Sequence, residues 1–295
     1  MNRLKNEIIN KEKLKEISRQ TRIKVIQMIG KSGFGHIGGS MSIVELLTVL
    51  YFCEMNIDPK NIKWEDRDRF VLSKGHSCLS LYAILAQKGY FPEEVLSTLD
   101  TVDSILQCHP DMKICPGIDM STGALGQGIS AAVGIALGAK LKGKNFRTYS
   151  IVGDGESAEG QVWEAAMCAS KFKLDNLVAI VDYNKLTLSG KTCEVMPLEP
   201  FCDKWASFGW HVIQIEDGHS FTQIIDALNE AKNVKKKPTA IIAHTIKGRG
   251  ISFYENKVKS HAVTMTVEQV ERALQELHYP QNEIEVTLTQ MKEEN

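Results

Sequence analysis

Two mostly apolar runs constrain this chain most: RTYSIVGD at 147–154 and NLVAIVDYN at 176–184, with AEGQVWEAAMCASKFK between them. A strand with one wet face alternates apolar and polar residues. These runs do not alternate, so both of their faces must be covered. The stretch between them has helical periodicity, and a strand–helix–strand unit of this size makes a parallel pair. RFVLS at 69–73 is a further short strand, and HVIQIED, FTQIIDALNEAK and TAIIAHT repeat the rhythm between 211 and 245. The expected fold class is α/β, a doubly wound, mostly parallel sheet with helices on both faces. No linker or repeat divides the chain, so one domain over 1–295 is expected, with a polar helical tail from about 263.

Elsewhere the pattern predicts a charged amphipathic helix from about Lys11 to Ile29, stopped by Gly30. GFGHIGGS is a glycine-rich turn, and SIVELLTVLYFCEM one mostly buried helix. SCLSLYAILAQKG ends a helix on Gly89. GQGISAAVGIALGAKLKG is a small-residue helix suited to close packing. The formal net charge is −1, which gives no general attraction to nucleic acid or to an anionic membrane. ISAAVGIALGAKL is too short to span a bilayer, and the N-terminal stretch lacks the apolar core of a leader. The seven cysteines are odd in number and form no C-x-x-C pair. Cys108, His109 and Cys115 lack a second ligand pair for zinc. A soluble, cytoplasmic protein with reduced thiols is expected.

The chemistry gathers at IVGDGESAEGQVWEA, residues 151–165. Gly153-Asp154-Gly155 follows a buried strand and precedes a helix. In such sheets ligands collect beyond the carboxyl ends of the strands, where helix N–H groups favour an anion. Yet Asp154, Glu156 and Glu159 would repel one. No G-K-[S/T] ending makes this a Walker loop, and Gly160 is misplaced for a dinucleotide fingerprint. A divalent cation resolves the conflict. Mg²⁺ takes one or two carboxylates and completes its shell with phosphate oxygens, carbonyls and water. Asn184 lies thirty positions on, at the end of the next strand. Adjacent strand tips stand about 5 Å apart. The Asn184 oxygen and a main-chain carbonyl just beyond it would then join Asp154 on one ion.

G-D-G followed some thirty residues later by Asn resembles the thiamine diphosphate and Mg²⁺ motif. SGFGHIGGS at 32–40, DRDRFVLSKGH at 66–76, CHPD at 108–111 and STGALGQG at 121–128 resemble transketolases specifically, in the family's order. The resemblance covers about residues 10 to 262. It implies Asp154, Asn184 and the Leu186 carbonyl as ligands of Mg²⁺, or of another divalent cation such as Ca²⁺ or Mn²⁺. It implies that His76 and the Gly155 amide contact the cofactor diphosphate, and that Gly123, Ala124 and Leu125 lie against the cofactor. His36 and His109 would bond substrate hydroxyls and relay protons. Glu159 would link two active sites across a dimer. His261 matches a histidine near both diphosphate and substrate, but Ala262 follows it where relatives carry glycine. Lys247 and Arg249 fit a phosphate clamp and solvated surface charges equally well.

Nothing after Ala262 resembles the domain that holds the cofactor's pyrimidine end. The resemblance therefore implies the N-terminal subunit of a split transketolase, active with a C-terminal partner subunit in an α₂β₂ assembly. The implied reaction moves a two-carbon ketol unit from a ketose, phosphorylated or not, to an aldose. Pentose phosphates are the default, with branched or sulfonated ketoses open. The alternatives are a subunit of a 2-oxoacid-decarboxylating thiamine enzyme and a non-catalytic cofactor-binding subunit.

Overall fold

The computed structural model describes residues 10–293, so the first nine residues of the stretch read above as lacking a leader, and the last two of the polar end, lie outside the described residues. Five strands form one sheet: β1 (Arg69–Leu72), β2 (Thr148–Gly153), β3 (Leu177–Tyr183), β4 (His211–Ile215) and β5 (Thr239–His244). Their order is β1-β2-β3-β5-β4, and every neighbouring pair is parallel. The continuous apolar runs now have their reason. Ile151, Val178, Ile180 and Ile241 belong to one core, and Val152, Ala179, Val181 and Ile242 to the other. Successive side chains alternate between faces, and both faces are dry.

The helices are α1 (Lys11–Ser32), α2 (Ile37–Ser42), α3 (Val44–Val49), α4 (Cys78–Lys88), α5 (Gln127–Leu141), α6 (Gly160–Lys171), α7 (Thr192–Val195), α8 (Phe201–Ser207), α9 (Phe221–Asn233), α10 (Val267–Glu276) and α11 (Gln281–Glu293). Residues of α1 to α4 and of α9 to α11 fill the first core, and residues of α5, α6 and α8 the second. The doubly wound α/β class is the one expected. Among the described residues no helix is long and apolar enough to cross a membrane.

Three local expectations are corrected. Gly30 does not end α1. A Cβ there would stand 2.9 Å from Met291 Sδ, so Gly30 is the notch that lets α11 pack closely. The helix runs to Ser32 and stops at Gly33, which adopts the left-handed conformation (φ 77°). SIVELLTVLYFCEM is not one regular helix: it pauses at Ile43 and finishes in a wider, π-type turn over Leu50–Glu54. GFGHIGGS is only half a turn, because α2 begins at Ile37. The tail is not polar throughout. Val270, Leu274, Ile284 and Met291 are buried in the same core as α1.

Gly38 and Gly39 are required by close contact. A Cβ on Gly38 would meet the Ser260 carbonyl oxygen at 2.6 Å and Lys247 Cγ at 2.9 Å. One on Gly39 would meet Ser77 Oγ at 2.6 Å and Lys74 Nζ at 3.2 Å. The glycine-rich segment is thus the surface on which two buried lysines rest.

Candidate active site

Parallel strands end on one edge, so their C-terminal tips pool whatever follows them. Lys74 and His76 follow β1, Gly153 to Glu156 close β2, Asn184 and Leu186 follow β3, and Lys247 follows β5. All of these line one cavity of about 360 Å³, together with Gly39, Gly123, Leu125 and His261. Its size suits a small ligand.

Asp154 and Asn184 sit side by side because β2 and β3 pair with Gly153 opposite Asp182, and the Asp154 N–H donates to the Asp182 carbonyl at 3.3 Å. Asp154 Oδ1 accepts from the Gly155 N–H at 2.6 Å, and Oδ2 from the Lys185 N–H. Lys185 holds a left-handed backbone (φ 65°), a conformation that costs a non-glycine residue about 1–2 kcal/mol. Asn184 Oδ1 accepts from the Leu186 N–H at 3.1 Å, and its Nδ2 donates to Asp182 at 3.0 Å. Burial, and then the buried Asp182 beside it, push the Asp154 carboxyl up to about 7. Such a group is short of a positive partner.

The other two carboxylates of the loop do not compete. Glu156 is buried, with Oε1 taking Ser73 Oγ and the Gly126 N–H, and Oε2 the Gly153 N–H. It pins the end of β2 to the start of α5. Glu159 is exposed at the entry to α6, outside the cavity. The helix itself starts later than expected. A 3₁₀ turn over Gly155–Ala158 intervenes, drawn tight by Glu156 and by Ser157 Oγ bonding the Gly153 carbonyl at 3.0 Å.

Two residues missed in the sequence complete the site. Lys74 and Asp182 form a buried ion pair, and Lys74 also donates to the Gly39 carbonyl at 3.2 Å. Burial alone would raise the Asp182 carboxyl. The Lys74 ammonium and the Thr245 and Ser42 hydroxyls hold it below its ordinary value instead. The signal was available, since an Asp inside the apolar run VAIVDY and a Lys just past a buried strand each demand a partner. The structure also separates Lys247 from Arg249. Lys247 is 2% exposed and donates to the Leu186 and Thr187 carbonyls at 3.2 and 2.9 Å. Burial and the nearby Lys74 push it down to about 8. Arg249 faces another groove, beside Glu255.

Four histidines from distant segments meet, and two of them, His76 and His261, line the cavity. The ring of His36 lies 5.5 Å from that of His76, 5.6 Å from His261 and 6.1 Å from His109, and His76 lies 5.1 Å from His261. His109 packs over Gly123, where a Cβ would come within 3.1 Å of its ring. Ala262 does not carry His261 away, because paired hydrogen bonds between Gly35 and Val263 fix the segment. Leu125 reaches the cavity edge, and Ala124 is exposed beside it.

Burial, and then Lys74, push His76 down to about 2. Burial, and then Lys247, push His261 down to about 4. His36 is lowered by burial and by His109. These imidazoles are therefore neutral near pH 7. In histidine-labelled NMR spectra of the free chain, His76 and His261 are expected to show no titration between pH 5.5 and 8. Each takes up a proton on unfolding below about 6.5, so its own contribution to stability falls as the pH drops from there towards its folded value. A ring titrating near 6.5 would contradict the burial described.

The sequence model described as "Transketolase, thiamine diphosphate binding domain" matches residues 13–293. The chain belongs to the transketolase family. It is 52% identical over 252 residues to the 6-deoxy-6-sulfo-D-fructose transketolase subunit SqwG of Clostridium sp. (strain MSTE9), covering 85% of this chain and 91% of that one. It is 44% identical over 266 residues to an apulose-4-phosphate transketolase subunit of Phocaeicola vulgatus, covering 90% and 94%. The solved transketolase of Campylobacter jejuni superposes with a TM-score of 0.86 at 29% identity, over 97% of this chain and 47% of that one. This chain spans under half the length of the solved transketolases it matches. Its extent is that of the relatives named as transketolase subunits, so it is one subunit of a two-chain transferase of this family.

The transketolase cavity fits a metal–diphosphate pair by its donors. Among the described residues no group of three or more His, Cys, Asp or Glu side chains forms a metal cluster, and none of the seven cysteines is in a disulfide. One carboxylate, one amide oxygen and one main-chain carbonyl are instead an all-oxygen set, of the kind Mg²⁺ shares with phosphate and water. The Leu186 carbonyl accepts from the Lys247 ammonium at 3.2 Å, and both residues line the cavity.

Proposed function

We propose that this chain holds thiamine diphosphate with a divalent cation, Mg²⁺ first, and transfers a two-carbon ketol unit from a ketose to an aldose when joined to its partner subunit. The observation that carries the reading is the convergence of two buried lysines, the Asp154–Asn184 pair, His76 and His261 in one cavity, with the rings of His36 and His109 packed beside them. Asp154, Asn184 Oδ1 and the Leu186 carbonyl would hold the cation. Lys74, Lys247 and His76 would face the diphosphate charge. When bound, the cofactor supplies the carbanion chemistry that side chains cannot.

The imidazoles do the rest. His261 Nδ1 is 3.3 Å from Lys247 Nζ, which leaves Nε2 for a substrate oxygen. His109 Nδ1 is 3.3 Å from Cys108 Sγ, which again leaves Nε2 free. A neutral imidazole takes a proton from a hydroxyl at one atom and returns it as the sugar fragments part and rejoin. His36, between the other three rings, is placed to bridge them.

The family match sets the 2-oxoacid reading aside. Leu125, Leu188, Val195 and Met196 line the cavity and are exposed at its mouth, an apolar rim suited to cover by another protein surface. The partner is proposed to bring the pyrimidine-binding domain, in an α₂β₂ assembly with Glu159 near the junction of its two halves. Seven cysteines outside any disulfide suit a cytoplasmic setting. The named substrates of the two relatives above extend the donor from pentose phosphates to ketoses ending in sulfonate or phosphate.

The test mixes the chain with its partner subunit, Mg²⁺ and thiamine diphosphate, and follows ketol transfer from a pentose phosphate and from a sulfonated ketose. Turnover only in the complete mixture is expected. Assembly without turnover would favour a non-catalytic binding subunit, and turnover by this chain alone would overturn the split-site reading.

A further inference from the structure

Outside the cavity, three buried charged or titratable residues from separate elements meet. Arg22 of α1 forks onto Glu45 of α3, with Nη1 to Oε1 at 2.7 Å and Nη2 to Oε2 at 2.9 Å. Glu45 Oε2 also accepts from His219 Nδ1 at 2.8 Å. His219 precedes α9, and each of the three side chains is less than a tenth exposed. None of them lines the cofactor cavity.

Each end of this chain of contacts grips one backbone segment. The Ile246 N–H donates to His219 Nε2 at 2.9 Å, and Arg22 Nε donates to the Arg249 carbonyl at 2.9 Å. A backbone amide can only donate, so Nε2 is bare and the ring proton sits on Nδ1, directed at Glu45. Lys247 lies between the two grips. Gly248 (φ 78°) then turns the chain, its N–H donating to the Gly38 carbonyl at 3.0 Å. Gly250 (φ 94°) passes so close to Arg22 that a Cβ would stand 2.7 Å from Nε. The charges balance through direct, paired hydrogen bonds, the condition under which a buried polar network specifies one arrangement.

We propose that Arg22, Glu45 and His219 are positioning residues for the site proposed above: they clamp the 246–249 segment and so deliver the Lys247 ammonium into the cavity. The effect on cofactor affinity rests on the reading that Lys247 meets the diphosphate. The clamp itself does not.

Two measurements separate these. His219→Leu fills the space but offers no acceptor to Ile246, whereas His219→Gln carries an amide oxygen of similar reach. Hydrogen exchange of the full chain reads the clamp alone. Amide protection across 246–250 is expected to fall at least ~10-fold in His219→Leu and to recover most of that in His219→Gln. Equilibrium titration of thiamine diphosphate with Mg²⁺ into the assembled enzyme reads the consequence. The dissociation constant is expected to rise ~10-fold or more in His219→Leu, with kcat at saturating cofactor falling less than about threefold.

Equal protection in wild type and His219→Leu, or equal loss in the Leu and Gln variants, would overturn the clamp. Lost protection with unchanged cofactor affinity would leave the clamp and overturn the role of Lys247. Should His219→Leu not fold, Arg22→Lys keeps a charge beside Glu45 but removes the fork and the Arg249 contact. Exchange across 246–250 then decides in the same way.

Discussion

Replacing Asp154 by Ala is expected to abolish Mg²⁺-dependent binding of thiamine diphosphate while leaving the sheet folded. Asp154 is the one carboxylate of the G-D-G loop with capacity to spare, because Glu156 spends its oxygens on Ser73, Gly126 and Gly153, and Glu159 lies outside. A carboxyl pushed up to about 7 by burial and Asp182 gains more from a cation than an ordinary one. Indirect partners of metal ligands already change affinity about 10–100-fold, so loss of a ligand itself should exceed ~100-fold. The fold should survive, since removing a buried, partly protonated carboxyl removes its desolvation cost along with two backbone contacts. Calorimetry of cofactor with Mg²⁺ against the assembled enzyme measures this. Wild-type affinity in the variant would refute the assignment.

Lys74→Met is expected to have the largest effect on stability. Lys74 and Asp182 are 2% and 0% exposed, and the variant leaves the carboxylate with only the Ser42, Thr245 and Asn184 donors. Breaking a buried pair from one side costs about 3–5 kcal/mol. For a chain of this size that is a fall in melting temperature of roughly 5–8 °C. Adding Asp182→Asn removes the stranded charge and should return most of the loss, although cofactor binding stays impaired. Urea unfolding of the single and double variants gives the coupling directly. Equal stability of the two would show that the pair is not what holds the tips of β1 and β3 together.

Much of this was legible in the sequence because it is local. The mostly apolar runs at 147–154 and 176–184 point to a parallel sheet, since a strand that does not alternate polar with apolar residues has no face to give to water. The same rule put Asp154 and Asn184 on neighbouring tips. The resemblance supplied the four histidines from short motifs, and the structure brings their rings together.

Errors came where a residue's meaning depended on what packs against it. Gly30 has the composition of a helix stop, yet α11 makes it a packing notch. Lys247 and Arg249 stand two positions apart in a polar loop, and nothing local tells a buried ammonium from a solvated guanidinium. The partners of Lys247, Leu186 and Thr187, lie some sixty residues away. Lys74 and Asp182 are separated by more than a hundred, and the Arg22–Glu45–His219 clamp spans nearly two hundred. Sequence determined the strands, their covering and the chemistry at their tips, because hydrophobic periodicity and turn chemistry act over a few residues. Tertiary structure alone decided which charges are buried, which partner each one finds and which protonation state results. Those depend on desolvation and on Coulomb contacts that exist only once distant segments share one dry interior.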